Sequence, residues 1–99
     1  MSVIVLLTLK AKPDSYDELG SLLKNILIDT SVFEGCEGIY ACGDSENHTF
    51  LLYESWASTE NQQEYMKWRQ ERGDLDVLGA MLREPPLLET RDFIFSSQT

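Results

Sequence analysis

Tyr40, Tyr53, Trp56, Tyr65 and Trp68 are the side chains best placed to form a flat binding surface. Set between a helix and a sheet, such rings line apolar pockets for planar guests. Tyr65 and Trp68 lie three positions apart, about one helical turn, in a stretch that is otherwise mostly polar. With an unperturbed pKa near ~10, Tyr65 is a poor base at neutral pH and suits hydrogen bonding to a substrate hydroxyl or phenolate. His48 is the sole histidine and has the intrinsic pKa of a base. Arg69, Arg72 and Arg83 are each able to hold an anionic oxygen. Glu54 stands inside an apolar run, where an unpaired carboxylate is costly. A structural reading competes with each role. The rings also suit core packing, His48 an exposed turn, and the arginines pairing with carboxylates. Glu54 suits an ion pair at an edge or interface, with an arginine as partner.

Those residues are positioned by elements legible from their periodicity. Ser2 to Ala11 is rich in β-branched and leucine residues on both alternating sets, which predicts a strand buried on both faces. Pro13 opens a helix to about Thr30, with Asp14, Asp17 and Glu18 at the positive end of its dipole. Glu37 to Gly43 and Thr49 to Trp56 read as two strands joined by the polar loop Asp44 to His48. Ser58 is placed to cap a helix through about Arg72. Leu75 to Leu82 forms a shorter amphipathic stretch ended by Pro85-Pro86, and Leu87 to Phe95 a last strand. The order β-α-β-β-α-(α)-β predicts an α+β, ferredoxin-like sandwich: a four-stranded antiparallel sheet with helices on one face. One domain spans 1–99, with its core over 3–95 and a frayed tail from Ser96 to Thr99. The uncovered sheet face predicts a homodimer, because large exposed apolar patches are uncommon on soluble monomers.

Composition narrows the function classes. Eight Lys and Arg against 17 Asp and Glu give a net charge of −9, which disfavours nucleic acid and anionic membranes as partners. The longest apolar run, Val3 to Leu7, is far below the ~20 residues of a spanning helix. No basic region precedes that run and no cleavage site follows it, so a cytoplasmic location is expected. Cys36 and Cys42, six residues apart on one strand, would lie roughly 20 Å apart on one face, beyond disulfide reach. No metal-ligand spacing, Walker loop or GxGxxG motif occurs.

From about Val3 to Phe95 the chain resembles the antibiotic biosynthesis monooxygenase family of dimeric α+β barrel proteins. The resemblance is carried by Lys12-Pro13-Asp14 entering the first helix, by Phe50-Leu51-Leu52-Tyr53-Glu54-Ser55-Trp56, by Ser58-Thr59-Glu60 and by Leu82-Arg83-Glu84-Pro85-Pro86. It implies an oxygenase that needs no metal or flavin and oxidises a small aromatic or quinol-type substrate with O2, the electron-rich substrate anion itself reducing oxygen. Tyr65 and His48 are the candidate catalytic residues, and Trp56, Trp68, Tyr53, Tyr40 and Arg83 the candidate substrate contacts, centred between the sheet and the second helix. Many members carry a histidine where this chain has Tyr65. The haem-degrading pattern fails at Thr8, Tyr65 and Leu75. Two further readings follow: a dimeric small-molecule-binding or regulatory protein that has lost the chemistry, and a non-oxidative isomerase or lyase.

Overall fold

A computed structural model describes residues 2–97. Strand β1 (Val3–Lys10) is followed by a short 3-10 turn at Pro13–Ser15 and helix α1 (Tyr16–Ser31). Then come β2 (Cys36–Asp44), β3 (Thr49–Trp56), α2 (Thr59–Glu71), α3 (Asp74–Ala80) and β4 (Leu87–Asp92). The strands form an antiparallel sheet in the order β2-β3-β1-β4, the ferredoxin-like arrangement expected from the element order.

Pairing fixes which face each side chain takes. Val5 lies opposite Glu54 and Thr90, and Leu7 opposite Leu52 and Leu88. Since side chains alternate, Val3, Val5, Leu7 and Leu9 share the helix-covered face with Leu52, Glu54 and Trp56. Ile4, Leu6 and Thr8 share the other face with Leu51, Tyr53 and Tyr40. Two clusters fill the covered side. One joins Leu9, Leu52 and Leu82 to Leu19 and Leu23 of α1 and Leu78 of α3. The other is Val5, Trp56 and Tyr65, with Phe33, Cys36, Met66 and Trp68 packed against it.

Local chemistry sets the helix boundaries. Ser58 is extended, and its Oγ accepts the Asn61 amide at 3.1 Å, the expected N-cap. Gly73 separates α2 from α3 with φ of 81°, a left-handed conformation that costs a residue with a Cβ roughly 1–2 kcal/mol. Burial along α2 is unusual: it hides Gln62, Tyr65 and Arg69, a largely polar stripe.

The structure corrects three expectations. The last strand ends at Asp92 rather than Phe95, because Val3 of β1 is already paired with Asp92 and a single bond from the Phe93 amide to the Ser2 carbonyl continues the ladder. Ile94 and Phe95 lie past the sheet and are 84% and 78% exposed. Cys36 and Cys42 do not share a face, since β2 shifts register between Cys36 and Gly38. Cys36 packs into the aromatic cluster while Cys42 lies opposite Leu51; both are free thiols. Glu54 is not at an edge and pairs with no arginine: β3 is an inner strand, and the carboxyl accepts a hydrogen bond from a tryptophan. Of the expected tail, Gln98 and Thr99 lie outside the described residues.

Candidate functional site

Between the covered face of the sheet and the helices lies a cavity of about 270 Å³. Leu7, Leu9 and Leu52 form its floor and Leu23, Ile26 and Leu27 of α1 one wall. Tyr65, Met66 and Arg69 of α2 and Leu75 and Leu78 of α3 line the rest. Its mouth lies between α3 and β4, where the lining residues Gly79, Pro86 and Leu88 are exposed. The polar groups on this apolar surface are Glu54, Tyr65, Arg69 and Asp74.

Each polar group owes its place to the periodicity of its element. Glu54 is two residues after Leu52 and two before Trp56, so strand alternation turns it inward with them. It is 5% exposed, and Trp56 Nε1 donates to its Oε1 at 2.9 Å. Burial pushes the Glu54 carboxyl above the ordinary range, and the tryptophan bond opposes this. Tyr65 and Arg69 are four residues apart on one face of α2, and Arg69 Nε donates to the Tyr65 hydroxyl at 2.8 Å. Arg69 Nη2 donates to the Ile26 carbonyl at 2.6 Å and to Thr30 Oγ1 at 3.1 Å. Its Nη1 pairs with Asp74 Oδ2 at 2.9 Å, and Arg72 joins the same oxygen at 3.2 Å. Burial opposes the Arg69 charge, but the bonds to Tyr65 and Asp74 outweigh it and hold its pKa above the ordinary value.

The same network decides what Tyr65 can do. Thr30 Oγ1 gives its proton to the Ile26 carbonyl at 3.2 Å and stands 2.5 Å from the Tyr65 hydroxyl. Tyr65 is thus hydrogen-bonded to Thr30 and accepts from Arg69, so its hydroxyl is engaged within the protein. Burial raises the Tyr65 pKa, against the bonds to Thr30 and Arg69, so it is a still poorer base than free tyrosine.

Of the aromatic residues singled out by sequence, the fold brings Trp56, Tyr65 and Trp68 together. Trp56 and Tyr65 have ring centroids 5.1 Å apart, and Phe33 sits edge-on to Tyr65 at 5.2 Å and near Trp68 at 5.3 Å. Tyr65 reaches the cavity wall; Trp56 and Trp68 pack behind it. The guanidinium groups of Arg69 and Arg72 lie 4.7 and 4.8 Å from the Trp68 ring, within cation–π range. Tyr40 and Tyr53 form a pair at 6.2 Å on the open face of the sheet, away from this cluster.

His48 occupies the β2–β3 hairpin with φ of 53°, its ring edge-on to Tyr16 at 5.9 Å. Arg83 donates to the carbonyls of Ala11 at 2.7 Å and Asn47 at 3.2 Å, bracing that hairpin against the end of β1. Beside it, Tyr16 and Phe50 stack at 4.5 Å and line an open groove between α1 and β2. Sequence reasoning weighed Glu54 and Arg69 but left them out of the site in favour of ion pairing, and it did not reach Thr30. For Glu54 the signal was present in the even spacing Leu52, Glu54, Trp56; for Thr30 it was not, since its partners are 35 and 39 residues away. Among the described residues no cluster of three His, Cys, Asp or Glu side chains is arranged to hold a metal.

Comparison with known proteins places this geometry in a family. The Mycobacterium tuberculosis protein Rv0793 superposes with a TM-score of 0.86 at 18% identity, over 98% of this chain and 99% of that one. A conserved protein of Methanosarcina mazei Go1 gives 0.82 at 16% identity, over 92% and 91%. An antibiotic biosynthesis monooxygenase of known structure gives 0.83 at 15% identity, over 93% and 98%. No curated protein sequence matches the chain. At these identities the structures establish a shared fold, and the sequence model of the antibiotic biosynthesis monooxygenase family matches residues 2–73. The chain belongs to the antibiotic biosynthesis monooxygenase family.

Proposed function

We propose that this protein is a cofactor-independent monooxygenase that oxidises a small aromatic or quinol-type molecule with O2 in the cavity between the sheet and the helices. It acts as one domain over residues 1–99, as a cytoplasmic homodimer. The observation that carries this reading is the apolar cavity of about 270 Å³ with its few convergent polar groups. Such a site keeps an electron-rich ring in a dry medium and leaves the chemistry to the substrate anion and oxygen. The balance closes without an external reductant: a quinol and O2 give a hydroxyquinone and water, the ring losing four electrons and O2 taking four. The two protons the ring gives up leave in the water.

The chain's residues supply binding and proton handling. Leucine side chains exclude water, the Tyr65 ring offers a flat wall, and Arg69 fixes that wall through Thr30 and Ile26. Oxygen uptake with a panel of one- and two-ring quinols tests the proposal. Uptake above the uncatalysed rate, saturable in quinol, is expected. One observation favours a second reading, a binding or regulatory protein: the Tyr65 hydroxyl, at the place where the family resemblance expects a histidine, is engaged by Thr30 and Arg69 inside the protein. Quinols that raise the melting temperature without any uptake would establish that reading and reject catalysis.

A further inference from the structure

The polar groups around the cavity are not equivalent. Tyr65 is engaged with Thr30 and Arg69; Arg69 is turned to Tyr65, Ile26, Thr30 and Asp74; Asp74 is held by two arginines. Glu54 differs from all three. Its Oε1 is taken by Trp56, while its Oε2 has no hydrogen-bond partner among the described residues. Every sealed polar side-chain atom among those residues does have a partner, so Oε2 is not sealed. The carboxyl belongs to a residue 95% buried, and the cavity is the open space that this residue lines. An acceptor left unmade in an apolar site costs free energy that a donor on a ligand recovers.

We propose that Oε2 of Glu54 is the anchoring and proton-accepting atom of the cavity, selecting one- or two-ring aromatics that carry a hydroxyl donor. The step is a proton transfer: the substrate O–H bond breaks, a carboxylic O–H bond forms on Glu54, and the electron pair stays on the substrate oxygen as phenolate. O2 is the oxidant of that anion, and the proton held by Glu54 passes to the reduced oxygen that leaves as water. Size sets the ring count. An apolar cavity of ~150 Å³ takes benzene and drug-sized pockets begin near ~300 Å³, so about 270 Å³ suits one or two fused rings. As a step in turnover the proposal rests on the cavity being the reaction site; as ligand selection it is tested without turnover.

Binding of naphthol, naphthalene and methoxynaphthalene to the wild-type protein is measured by calorimetry near neutral pH. Naphthol, the sole donor of the three, is expected to bind roughly tenfold more tightly than the other two, the scale of one net hydrogen bond. Glu54→Gln keeps a carbonyl oxygen for Trp56 and turns an amide NH2 towards the cavity, a donor that the oxygens of naphthol and methoxynaphthalene can both accept from, which should reduce naphthol to the level of methoxynaphthalene. Equal affinity of wild-type protein for naphthol and methoxynaphthalene overturns the inference, as does binding of none of the three. So does a folded Glu54→Gln protein that retains the preference. The wild-type comparison stands if the variant does not fold. Absence of oxygen uptake with the naphthol preference intact rejects the monooxygenase reading and leaves Glu54 as the ligand anchor.

Discussion

Glu54 and Tyr65 show how burial and hydrogen bonding divide roles between two candidate groups. Glu54 has a raised pKa because burial disfavours its charged form, so the folded chain holds its proton over a pH window that opens at the ordinary glutamate value. Stability from this group is therefore fully present below that window and is lost as pH rises through the folded value. Trp56 contributes its indole donor to the carboxyl, Tyr65 and the Cys36 thiol bring no positive charge, and Arg69, which lines the same cavity, is turned to Tyr65, Ile26, Thr30 and Asp74. Glu54→Gln should thus gain stability relative to wild type as pH rises from acid to neutral; urea denaturation at several pH values measures it, and an opposite slope contradicts it. Tyr65→Phe removes the acceptor of Arg69 Nε in a buried network, and is expected to cost about 1–3 kcal/mol in the same measurement. No loss of stability would show that the network is not formed.

At the scale of elements, helix α2 buries a largely polar stripe, Gln62, Tyr65 and Arg69, beside the apolar contacts of Met66 and Trp68. Ser58→Ala, which removes the N-cap, should lower stability by about 1 kcal/mol by chemical denaturation. A variant as stable as wild type would mean that the cap adds nothing in this context. The strands, both long helices and the cap were legible in the sequence because hydrophobic period and capping are local signals. Other features were decided by contacts distant in sequence. The register shift in β2 puts Cys36 and Cys42 on opposite faces, and the end of β4 is set by where its partner β1 begins. The convergence of Trp56, Tyr65 and Trp68 was readable from their strand and helix positions. The commitment of Tyr65 to Thr30 was not, because no period in α1 marks Thr30 as a partner for α2.

For the whole molecule, the uncovered side of the sheet is its most conspicuous surface. Tyr40, Leu51, Tyr53 and Leu87 on that face are 70%, 39%, 40% and 54% exposed. An apolar face of this kind supports the proposed homodimer, sheet against sheet. Sedimentation should give a mass of twice 11.3 kDa at micromolar concentration. The pairing also separates two variants. Leu6→Glu places a charge on the open face and should yield a folded monomer, whereas Val5→Glu places one in the core and should unfold the chain. A folded dimer from Leu6→Glu would exclude this face as the interface. For the central claim, that the cavity supports oxygen insertion into a small aromatic, the most direct measurement is turnover of a naphthohydroquinone under isotopically heavy dioxygen, with mass analysis of the product. The account predicts a hydroxyquinone carrying one heavy oxygen atom, formed faster with the protein than without it; a product formed only at the uncatalysed rate, or lacking the heavy atom, would contradict it.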